Sequence, residues 1–381
     1  MVTASHNPES DNGVKIVDAD GGMMVQSWES YAEELVNNKD TDEIISIIKR
    51  IARSEGVIDG TPCCVVVGRD TRPHSAELAE CIIAGAKSFG SIVYDMGLVT
   101  TPQLHFIVQK ANEASSSFPI LNLDRDVAIA NYHHTLGSAY ICLLESAPLG
   151  HCAQSESIVV DGSFGIGAVS VMRQSLELNK IVPDILLVDL RNNAFDGPVN
   201  DGCGAEYVQK GQLPPKGVDP VKDAGKTLCS FDGDADRIVF HCYLTEKLNW
   251  ILLDGDKIAA LFSIFISEEF KASGLDKEFK LGVVQTAYAN GASTIYLKNR
   301  DIHVIMAKTG VKFLHHKAQE FDLGIYFEAN GHGTALFSEK LMKKLKSWEI
   351  LSLESGVESS RANLAVKRLN VSSVLCDHNI F

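Results

Sequence analysis

The sequence lacks the cysteine patterns of a metal-binding or disulfide-stapled protein. Nine cysteines are present, but they form no CxxC pair and no zinc-finger spacing, which argues against a structural zinc site. Several of them lie in apolar runs, as in Cys63-Cys64-Val-Val-Val. We therefore predict reduced and mostly buried thiols, in a reducing compartment.

Long apolar runs and an excess of basic residues are also lacking. No uninterrupted apolar run approaches the length that spans a bilayer, and a polar loop follows Met1 at once, so we expect neither a membrane segment nor a signal peptide. The 35 Lys and Arg face 49 Asp and Glu, and the net charge of −14 argues against nucleic acid as a general partner. We expect a cytoplasmic protein that binds neither nucleic acid nor membranes.

The residues that are present indicate several α/β domains. At 381 residues, 45% of them hydrophobic, the chain is long enough for two or three domains with buried cores. β-branched apolar runs at 63–67 and 91–95 alternate with helical patterns such as 75–89. This alternation predicts successive α/β domains with mixed, mainly parallel sheets, in which ligands bind at the carboxyl ends of the strands.

Changes in composition divide the chain into four parts. A small, polar stretch around residues 150–157 precedes a second unit of strand, turn and helix, and a third unit follows a hairpin through Trp250. The end of the chain is less coherent, with a helical pattern only at 340–353. We predict domains at 1–152, 153–250 and 251–345, with an atypical tail at 346–381.

Three aspartates give the strongest chemical signal. Asp232, Asp234 and Asp236 alternate on a turn between two apolar strands, where mutual repulsion raises their pKa values unless a cation is present. Their oxygen ligands suit Mg²⁺, which often shares its octahedral shell with a substrate phosphate. An acidic hairpin tip without a metal is the alternative. An EF-hand is excluded because Arg237 stands where its glycine belongs, but a haloacid-dehalogenase-type phosphatase with Asp232 as nucleophile stays open.

The first fifteen residues contain a candidate nucleophile, Ser5, beside His6. The pairs Asn7-Pro8 and Asn12-Gly13 are turn signals, and Lys15 closes the segment. We predict an exposed loop that presents the serine hydroxyl to a ligand. An ordinary polar turn is the alternative.

Further polar residues follow predicted strands, where ligands are expected. Arg69 and Arg72 come directly after the first strand and are candidate anion ligands, with surface ion pairing as the alternative. Glu328, Asn330 and His332 end a later strand, and their carboxylate, amide and imidazole groups suit sugar hydroxyls or an acetamido group. A capped turn at Asn330 is the alternative there.

Two other motifs indicate structure rather than chemistry. His133 and His134 are adjacent, and in a strand their side chains face opposite ways, which argues against a shared metal. The Gly-rich turn at 161–167 superficially resembles a dinucleotide fingerprint, with Asp189 at the end of the next strand. Its glycines are spaced G-x-x-G-x-G, however, so we predict a tight turn between a strand and a helix.

Taken together, these motifs resemble the α-D-phosphohexomutase superfamily from residue 1 to about residue 338. The resemblance rests on Thr3-Ala-Ser-His-Asn-Pro8 with Asn12-Gly13-Val-Lys15, on Asp232-Gly-Asp-Ala-Asp-Arg237 and on Glu328-Ala-Asn-Gly-His332. Within the superfamily, members that act on N-acetylated hexosamine phosphates are the most similar. The details that indicate them are Tyr132-His-His134, Gln285-Thr-Ala-Tyr-Ala-Asn-Gly291 and Lys308-Thr-Gly-Val-Lys312.

The resemblance implies a role for each motif. Ser5 would be a phosphoserine, and one Mg²⁺ would lie between its phosphate and the three aspartates. Lys15 and His6 would transfer protons, and Arg237 and Arg69 would stabilise phosphate. Residues of the third unit would contact the sugar, and Asn330, where other members carry serine, fits an N-acetylated substrate. These sugar-side residues are Lys308, Lys312, Glu328, Asn330 and His332.

The implied reaction interconverts N-acetylglucosamine 6-phosphate and 1-phosphate, through a glucosamine-type 1,6-bisphosphate, for UDP-N-acetylglucosamine synthesis. Relative to the superfamily, we expect a chain truncated at both ends. By comparison with the superfamily, we expect a segment before the serine loop and a fourth domain with an Arg-x-Ser-Gly-Thr phosphate loop to be missing. Two hypotheses follow from this difference: an active mutase, or a non-catalytic remnant that binds Mg²⁺ and sugar phosphate weakly.

Overall fold

A computed structural model describes residues 1–57, 63–114, 123–146, 156–355 and 360–376. Its helices are α1 (Glu29–Asn37), α2 (Thr41–Ser54), α3 (Ser75–Ser88), α4 (Thr101–Ala114), α5 (Arg125–Glu145), α6 (Gly167–Ile181), α7 (Ala205–Gly211), α8 (Gly255–Ser273), α9 (Gly291–Lys298), α10 (Val311–Ala318), α11 (Glu339–Ser355) and α12 (Arg361–Cys376). Its strands are β1 (Cys64–Arg69), β2 (Ile92–Leu98), β3 (Glu156–Asp161), β4 (Leu186–Arg191), β5 (Thr227–Phe231), β6 (Ile238–Tyr243), β7 (Trp250–Leu253), β8 (Leu281–Thr286), β9 (His303–Ala307), β10 (Leu323–Phe327) and β11 (Gly333–Phe337). Among the helices in these ranges, none combines the length and the hydrophobicity that crossing a membrane requires.

The helices begin where polar side chains can satisfy free backbone amides. Asp40 lies in the short link between α1 and α2. Its side chain accepts hydrogen bonds from the amides of Asp42 and Glu43 and so caps the start of α2. Asp254 accepts from the amide of Lys257 at the start of α8. These caps satisfy donors that have no partner within the helix.

The first unit carries a parallel pair, β1 and β2, with α3, α4 and α5 beside it. The predicted strands at 63–67 and 91–95 and the helix at 75–89 are confirmed. The N-terminal segment joins this sheet, because the amide of Val2 donates to Gly68 O at 2.8 Å and Val2 O accepts from the amide of Asp70 at 3.1 Å. The serine loop therefore starts at the carboxyl end of β1.

The second unit is a five-stranded sheet in the order β4-β3-β5-β6-β7. β3 pairs in parallel with β4 and β5, whereas β5, β6 and β7 form an antiparallel meander. The turn between β5 and β6 holds the three aspartates, as predicted. Val159, Leu228 and Val239 are buried, and this burial fixes the register of their strands, because a shift of one residue would turn each side chain to the opposite face.

The third unit is a four-stranded sheet in the order β11-β10-β8-β9. β8, β9 and β10 are parallel and β11 returns antiparallel to β10, so the mixed, mainly parallel architecture is confirmed. The sequence did not predict β11. Its first residues follow the polar loop Glu328–His332, and the alternation of small and apolar residues in Gly333–Phe337 is too short to give a clear strand pattern.

The last two helices that the structure describes are α11 and α12; α12 packs on α8, and α11 packs on α12. Leu345, Val366 and Leu369 are buried in one hydrophobic cluster with Ile266 and Phe270 of α8. The sequence predicted α11 in part but not α12, because Ser and Asn interrupt the apolar positions of α12. The proposed division of the chain at residues 152, 250 and 345 stays a prediction, and the first of these positions lies outside the described residues.

His133 and His134, for which we expected a structural or loop role, lie in helix α5. His133 is buried and contacts Gln174 Oε1 at 2.9 Å and Gln103 Nε2 at 3.2 Å, which joins α5 to α6 and α4. The structural role that we expected for this pair therefore fits His133, although on a helix. Long-range packing, rather than local alternation, determines its conformation.

His241, on β6, is a buried neutral histidine whose contacts can be assigned. Trp250 Nε1 donates to its Nδ1 at 3.3 Å, so its Nε2 carries the proton and bonds Ser230 Oγ at 3.2 Å. Burial lowers the pKa of His241 to about 4. In the unfolded chain this histidine has its ordinary pKa of about 6.5. Between about pH 4 and pH 6.5 it is therefore protonated in the unfolded chain but not in the folded one.

We therefore expect stability to fall as the pH drops from about 6.5 to about 4, and part of that dependence to come from His241. His241→Gln should flatten the slope of unfolding free energy against pH by up to about 1.4 kcal/mol per pH unit. Urea unfolding at several pH values measures this slope. The exposed His316→Gln is the control, and equal slopes in the His241→Gln variant and the unchanged chain would contradict the assignment.

Candidate active site

The three aspartates of the β5–β6 turn are buried together. Asp232 and Asp234 are fully buried, Asp236 is 6% exposed, and one ligand oxygen from each lies within 4.8 Å of the others. Each also has a buried carboxylate oxygen with no hydrogen-bond partner among the described residues, namely Asp232 Oδ2, Asp234 Oδ1 and Asp236 Oδ1. Buried, unpartnered carboxylate oxygens are costly, and a hard divalent cation satisfies them.

The charges around these aspartates are unevenly balanced. Burial, followed by the charges of Asp236 and Asp234, raises the pKa of Asp232 well above its ordinary value. Burial also opposes ionisation of Asp236, but Lys15, His332 and Arg237 hold the pKa of that carboxyl well below its ordinary value. The cluster thus has a carboxyl group whose negative charge no protein cation fully balances.

Lys15 crosses from the N-terminal segment to this cluster. Its Nζ lies 2.6 Å from Asp234 Oδ2 and also bonds Asp236 Oδ2. Burial disfavours its charged form, but the two carboxylates more than compensate and raise the pKa of the ammonium above its ordinary value. Lys15 therefore stays charged and ties the serine segment to the aspartate turn.

Ser5 is buried, whereas the sequence predicted an exposed loop. Its side chain is 6% exposed, its Oγ lies 3.4 Å from Asp234 Oδ2, and its backbone is in the left-handed region with φ of 44°. The loop is covered because the second unit packs against it, which no local signal in the first fifteen residues indicates. The hydroxyl faces the aspartates, so the predicted meeting of serine and carboxylates does occur.

Arg237 and His6 share one partner, Glu206 of α7. His6 Nε2 lies 3.2 Å from Glu206 Oε2, and Arg237 NH1 bonds the same oxygen. Burial and the nearby Arg237 charge lower the pKa of His6, so its imidazole is neutral near pH 7. Arg237 Nε has no hydrogen-bond partner among the described residues and lies 3.6 Å from Asp232 Oδ2. Glu206 was missed, because one acidic residue in a short helix carries no sequence signal.

The loop between β10 and β11 brings the third unit to the same place. His332 Nδ1 lies 3.6 Å from Asp236 Oδ2, and Asn330 Oδ1 accepts from the amide of His332 at 3.0 Å. Asn330 Nδ2 lies 3.4 Å from Glu328 Oε2. Three of the five predicted sugar-side residues, Glu328, Asn330 and His332, therefore share one tight turn beside the aspartates.

A cavity of about 310 Å³ opens between these groups. Its polar lining includes His105, whose Nδ1 bonds Gly21 O at 2.6 Å and whose pKa burial lowers to about 4. Apolar side chains of the N-terminal segment and of α4 line much of the rest. The lining residues are Val14, Lys15, Ile16, Met23, Met24, Ala32, Thr101, Pro102, His105, Asp236, Val311, Lys312 and His332.

Other candidates lie further away or have another role. Lys312 lines the cavity and pairs with Glu29, but Lys308 is exposed on the loop after β9. Arg69 pairs through its backbone with Val99, and no ion pair joins its side chain to the described aspartates. Arg72 is fully buried, pairs with Asp70 and donates to the carbonyls of Ser5 and Asn7, so the prediction of a free anion ligand was wrong for Arg72.

Thr101, at the start of α4, is a further site residue that the sequence did not indicate. Its hydroxyl donates to Asp234 Oδ2 and its amide donates to Asp234 O at 3.0 Å. The sequence showed only a helix start at Thr100-Thr101-Pro102. The contact with Asp234 depends on how the first and second units pack, which local sequence does not encode.

Sequence models of known domains match almost the whole chain. The α/β/α domain I of phosphoglucomutase/phosphomannomutase matches residues 1–43 and 42–121. Domains II and III of phosphoacetylglucosamine mutase AMG1 match residues 127–239 and 254–380. The three matches follow the order of the three α/β units.

Whole-chain relatives agree with these domain matches. Phosphoacetylglucosamine mutase of Arabidopsis thaliana is 40% identical over 391 residues, which cover all of this chain and 67% of the relative. The Homo sapiens enzyme is 44% identical over 349 residues, 91% of this chain and 61% of the relative. The chain thus spans roughly two thirds of the length of these relatives.

Solved structures show the same similarity. Aspergillus fumigatus N-acetylphosphoglucosamine mutase, in complex with GlcNAc-6P and magnesium, matches all of this chain and 67% of its own, with 33% identity and a TM-score of 0.86. A substrate complex of N-acetylglucosamine-phosphate mutase, a member of the α-D-phosphohexomutase superfamily, gives 34% identity and a TM-score of 0.86, and covers all of this chain and 68% of that one. The chain therefore belongs to the phosphoacetylglucosamine mutase family of the α-D-phosphohexomutase superfamily.

Proposed function

We propose that this chain interconverts N-acetylglucosamine 6-phosphate and 1-phosphate, by way of a 1,6-bisphosphate, and so serves UDP-N-acetylglucosamine synthesis. The proposal rests mainly on the position of Ser5, whose Oγ lies 3.4 Å from Asp234 Oδ2 in the aspartate cluster. Lys15 joins the same cluster to the segment that carries Ser5. The related structures with GlcNAc-6P and magnesium, and with glucose 1,6-bisphosphate, support this substrate class.

The aspartate cluster suits Mg²⁺. Its three unpartnered oxygens, one from each of Asp232, Asp234 and Asp236, supply the hard oxygen ligands that this ion prefers. When bound, Mg²⁺ would lower the repulsion between a phosphate on Ser5 and an incoming sugar hydroxyl. One ion is proposed, because the ligand oxygens fall within a single 4.8 Å cluster.

The protein groups around Ser5 then take defined roles. The Ser5 hydroxyl would accept and return the phosphoryl group, and phosphoryl transfer of this kind depends mainly on positioning and charge stabilisation. Charged Lys15 would give a proton to the oxygen that leaves phosphorus, and would take it back when the transfer runs in reverse. His6, neutral beside Glu206, would accept the proton of the attacking hydroxyl. Arg237 would stabilise phosphate charge, since its Nε lacks a hydrogen-bond partner among the described residues.

The β10–β11 loop and the adjacent cavity would bind the sugar. Glu328, Asn330 and His332 present acceptors and donors at one tight turn, and His332 lies next to Asp236. A cavity of about 310 Å³ can hold much of a hexosamine ring. We keep Lys312 and Lys308 as proposed sugar-side contacts and Arg69 as a proposed phosphate contact, and a ligand-bound arrangement would have to bring Lys308 and Arg69 closer.

The phosphatase alternative is not favoured. In that mechanism Asp232 is the nucleophile, but here Asp232 is fully buried and its Oδ1 accepts from the amides of Asp236 and Arg237, at 3.2 and 3.3 Å. A carboxylate held in this way suits a metal ligand better than an attacking group. We also propose a cytosolic location, which the free cysteines among the described residues support.

Ser5→Ala tests the function. We expect it to lower turnover at least about 1000-fold in a coupled assay for N-acetylglucosamine 1-phosphate with the bisphosphate added, because the phosphoryl carrier is lost. Ser10→Ala, a change at an exposed serine of the same segment, should leave the rate unchanged.

An unchanged chain with no more turnover than Ser5→Ala would favour the non-catalytic remnant. Phosphate release that survives Ser5→Ala but is lost in Asp232→Asn would favour the phosphatase instead.

Asp232→Asn tests the metal site. Asparagine keeps an Oδ1 acceptor for the two backbone amides but removes a buried charge, so we expect Mg²⁺ affinity to fall at least about tenfold while the metal-free protein melts at the same or a higher temperature. Calorimetric titration with Mg²⁺ and thermal melts measure both quantities. The exposed Asp196→Asn is the control. Equal Mg²⁺ affinity in Asp232→Asn and the unchanged chain would rule out Asp232 as a ligand.

A further inference from the structure

The backbone of Ser5 is held from two sides. Arg72, in the same unit as Ser5, donates through one guanidinium nitrogen to Ser5 O at 3.3 Å and to Asn7 O at 2.6 Å. From the second unit, Asn200 Nδ2 donates to the same two carbonyls, at 2.8 Å and 2.9 Å. The amide of Gly233, in the aspartate turn, also donates to Ser5 O, at 3.2 Å.

Asn200 is itself fixed by the Gly-rich turn at 161–167. The hydroxyl of Ser163 donates to Asn200 Oδ1 at 2.6 Å, and Ser163 O accepts from the amide of Asn200 at 3.0 Å. The carbonyls of Ser5 and Asn7 can only accept, so the amide nitrogen of Asn200 must face them, and its oxygen then faces the Ser163 hydroxyl. Both hydrogens of Nδ2 are then directed at the serine loop.

The glycines of this region allow the loops to approach closely. A Cβ on Gly165 would lie 2.4 Å from Gly233 O, and a Cβ on Gly233 would lie 2.7 Å from Ser5 O and 3.3 Å from Asn200 Nδ2. Gly165 and Gly233 therefore bring three backbones into contact: the Gly-rich turn, the aspartate turn and the serine loop. The Gly-rich turn superficially resembles a dinucleotide-binding motif in sequence, but in the structure it packs against the aspartate turn and helps to support the serine loop.

Such support is needed because Ser5 has a strained backbone. Its φ of 44° lies in the left-handed region, which costs a non-glycine residue about 1–2 kcal/mol. A strained conformation persists only where surrounding contacts hold it. Arg72 holds the Ser5 carbonyl from within its own unit, whereas Asn200 and Gly233 hold it from the unit that carries the aspartates.

We propose that Asn200, oriented by Ser163, is a positioning residue that aligns Ser5 with the aspartate cluster for phosphoryl transfer. The proposal rests on the proposed function, because it assigns Asn200 to the step in which Ser5 exchanges its phosphoryl group. Asn200 does not contact the aspartates or the cavity; it acts through the Ser5 backbone. Displacement of a reacting group by about 1 Å can cost about 100-fold in rate.

Asn200→Asp tests this role. Aspartate has nearly the same shape and tolerates the left-handed backbone of this position, where φ is 64°, but it cannot donate to the two carbonyls. Ser163→Ala is a milder second variant, because it leaves Asn200 in place and removes only its orienting hydroxyl. Gln212→Glu is the matched control: it is also an amide-to-acid change at a left-handed residue, with φ of 52°, on the surface of the same unit.

The first measurement is the phosphorylation of Ser5 by glucose 1,6-bisphosphate with Mg²⁺, followed by mass spectrometry over time. We expect the rate constant to fall about 100-fold in Asn200→Asp and about 10-fold in Ser163→Ala, with full labelling at the end of the reaction. kcat should fall while KM for the sugar phosphate changes less than about threefold. A merely structural role would instead lower the final labelled fraction and leave the rate constant of the labelled molecules unchanged, which would overturn the proposal.

The second measurement, hydrogen exchange of peptides covering residues 1–15, does not depend on activity. Asn200→Asp should accelerate exchange in this segment, and Gln212→Glu should not. If the unchanged chain takes no label at Ser5, the proposed function fails, and hydrogen exchange still decides whether Asn200 holds the loop. Equal exchange in Asn200→Asp and the unchanged chain would overturn the inference even where the chain is active.

Discussion

The arrangement of this molecule depends on three carboxylates buried at one hairpin. Each of Asp232, Asp234 and Asp236 keeps an oxygen without a hydrogen-bond partner among the described residues, and such groups are costly unless a cation neutralises them. Positively charged and polar side chains from other parts of the protein surround the three carboxylates. Lys15, from the N-terminal segment, pairs with Asp234, while Arg237 lies beside Asp232 and His332 lies beside Asp236.

The three units meet at this cluster, and each of them contributes residues to the site. The first unit contributes Ser5, Lys15 and the start of α4, the second contributes the aspartates, and the third contributes the β10–β11 loop. Parallel strands place such loops at one edge of each sheet, and this geometry lets three sheets present their polar ends to one point. The serine loop is additionally held between units, by Arg72 on one side and Asn200 on the other.

Much of this could be predicted from sequence, because the signals were local. Strand-length apolar runs predicted β1, β2, β5 and β10, and the aspartate spacing on a turn predicted the cluster itself. The features that were missed arise from packing between distant segments. Ser5 was expected to be exposed, but the second unit covers it.

The helix at His133, the last helix α12 and the return strand β11 were likewise decided by tertiary contacts. Glu206, Thr101 and Asn200 carry no distinctive motif. Their roles appear only once the units are assembled, because each acts across a boundary between segments that lie far apart in sequence.

The most direct test of the account is a crystal of this chain soaked with Mn²⁺ and measured at the manganese absorption edge. We expect an anomalous peak enclosed by Asp232, Asp234 and Asp236, at roughly 2.0–2.3 Å from one oxygen of each and next to Ser5 Oγ. A manganese peak elsewhere in the molecule, with none between these three carboxylates, would contradict it.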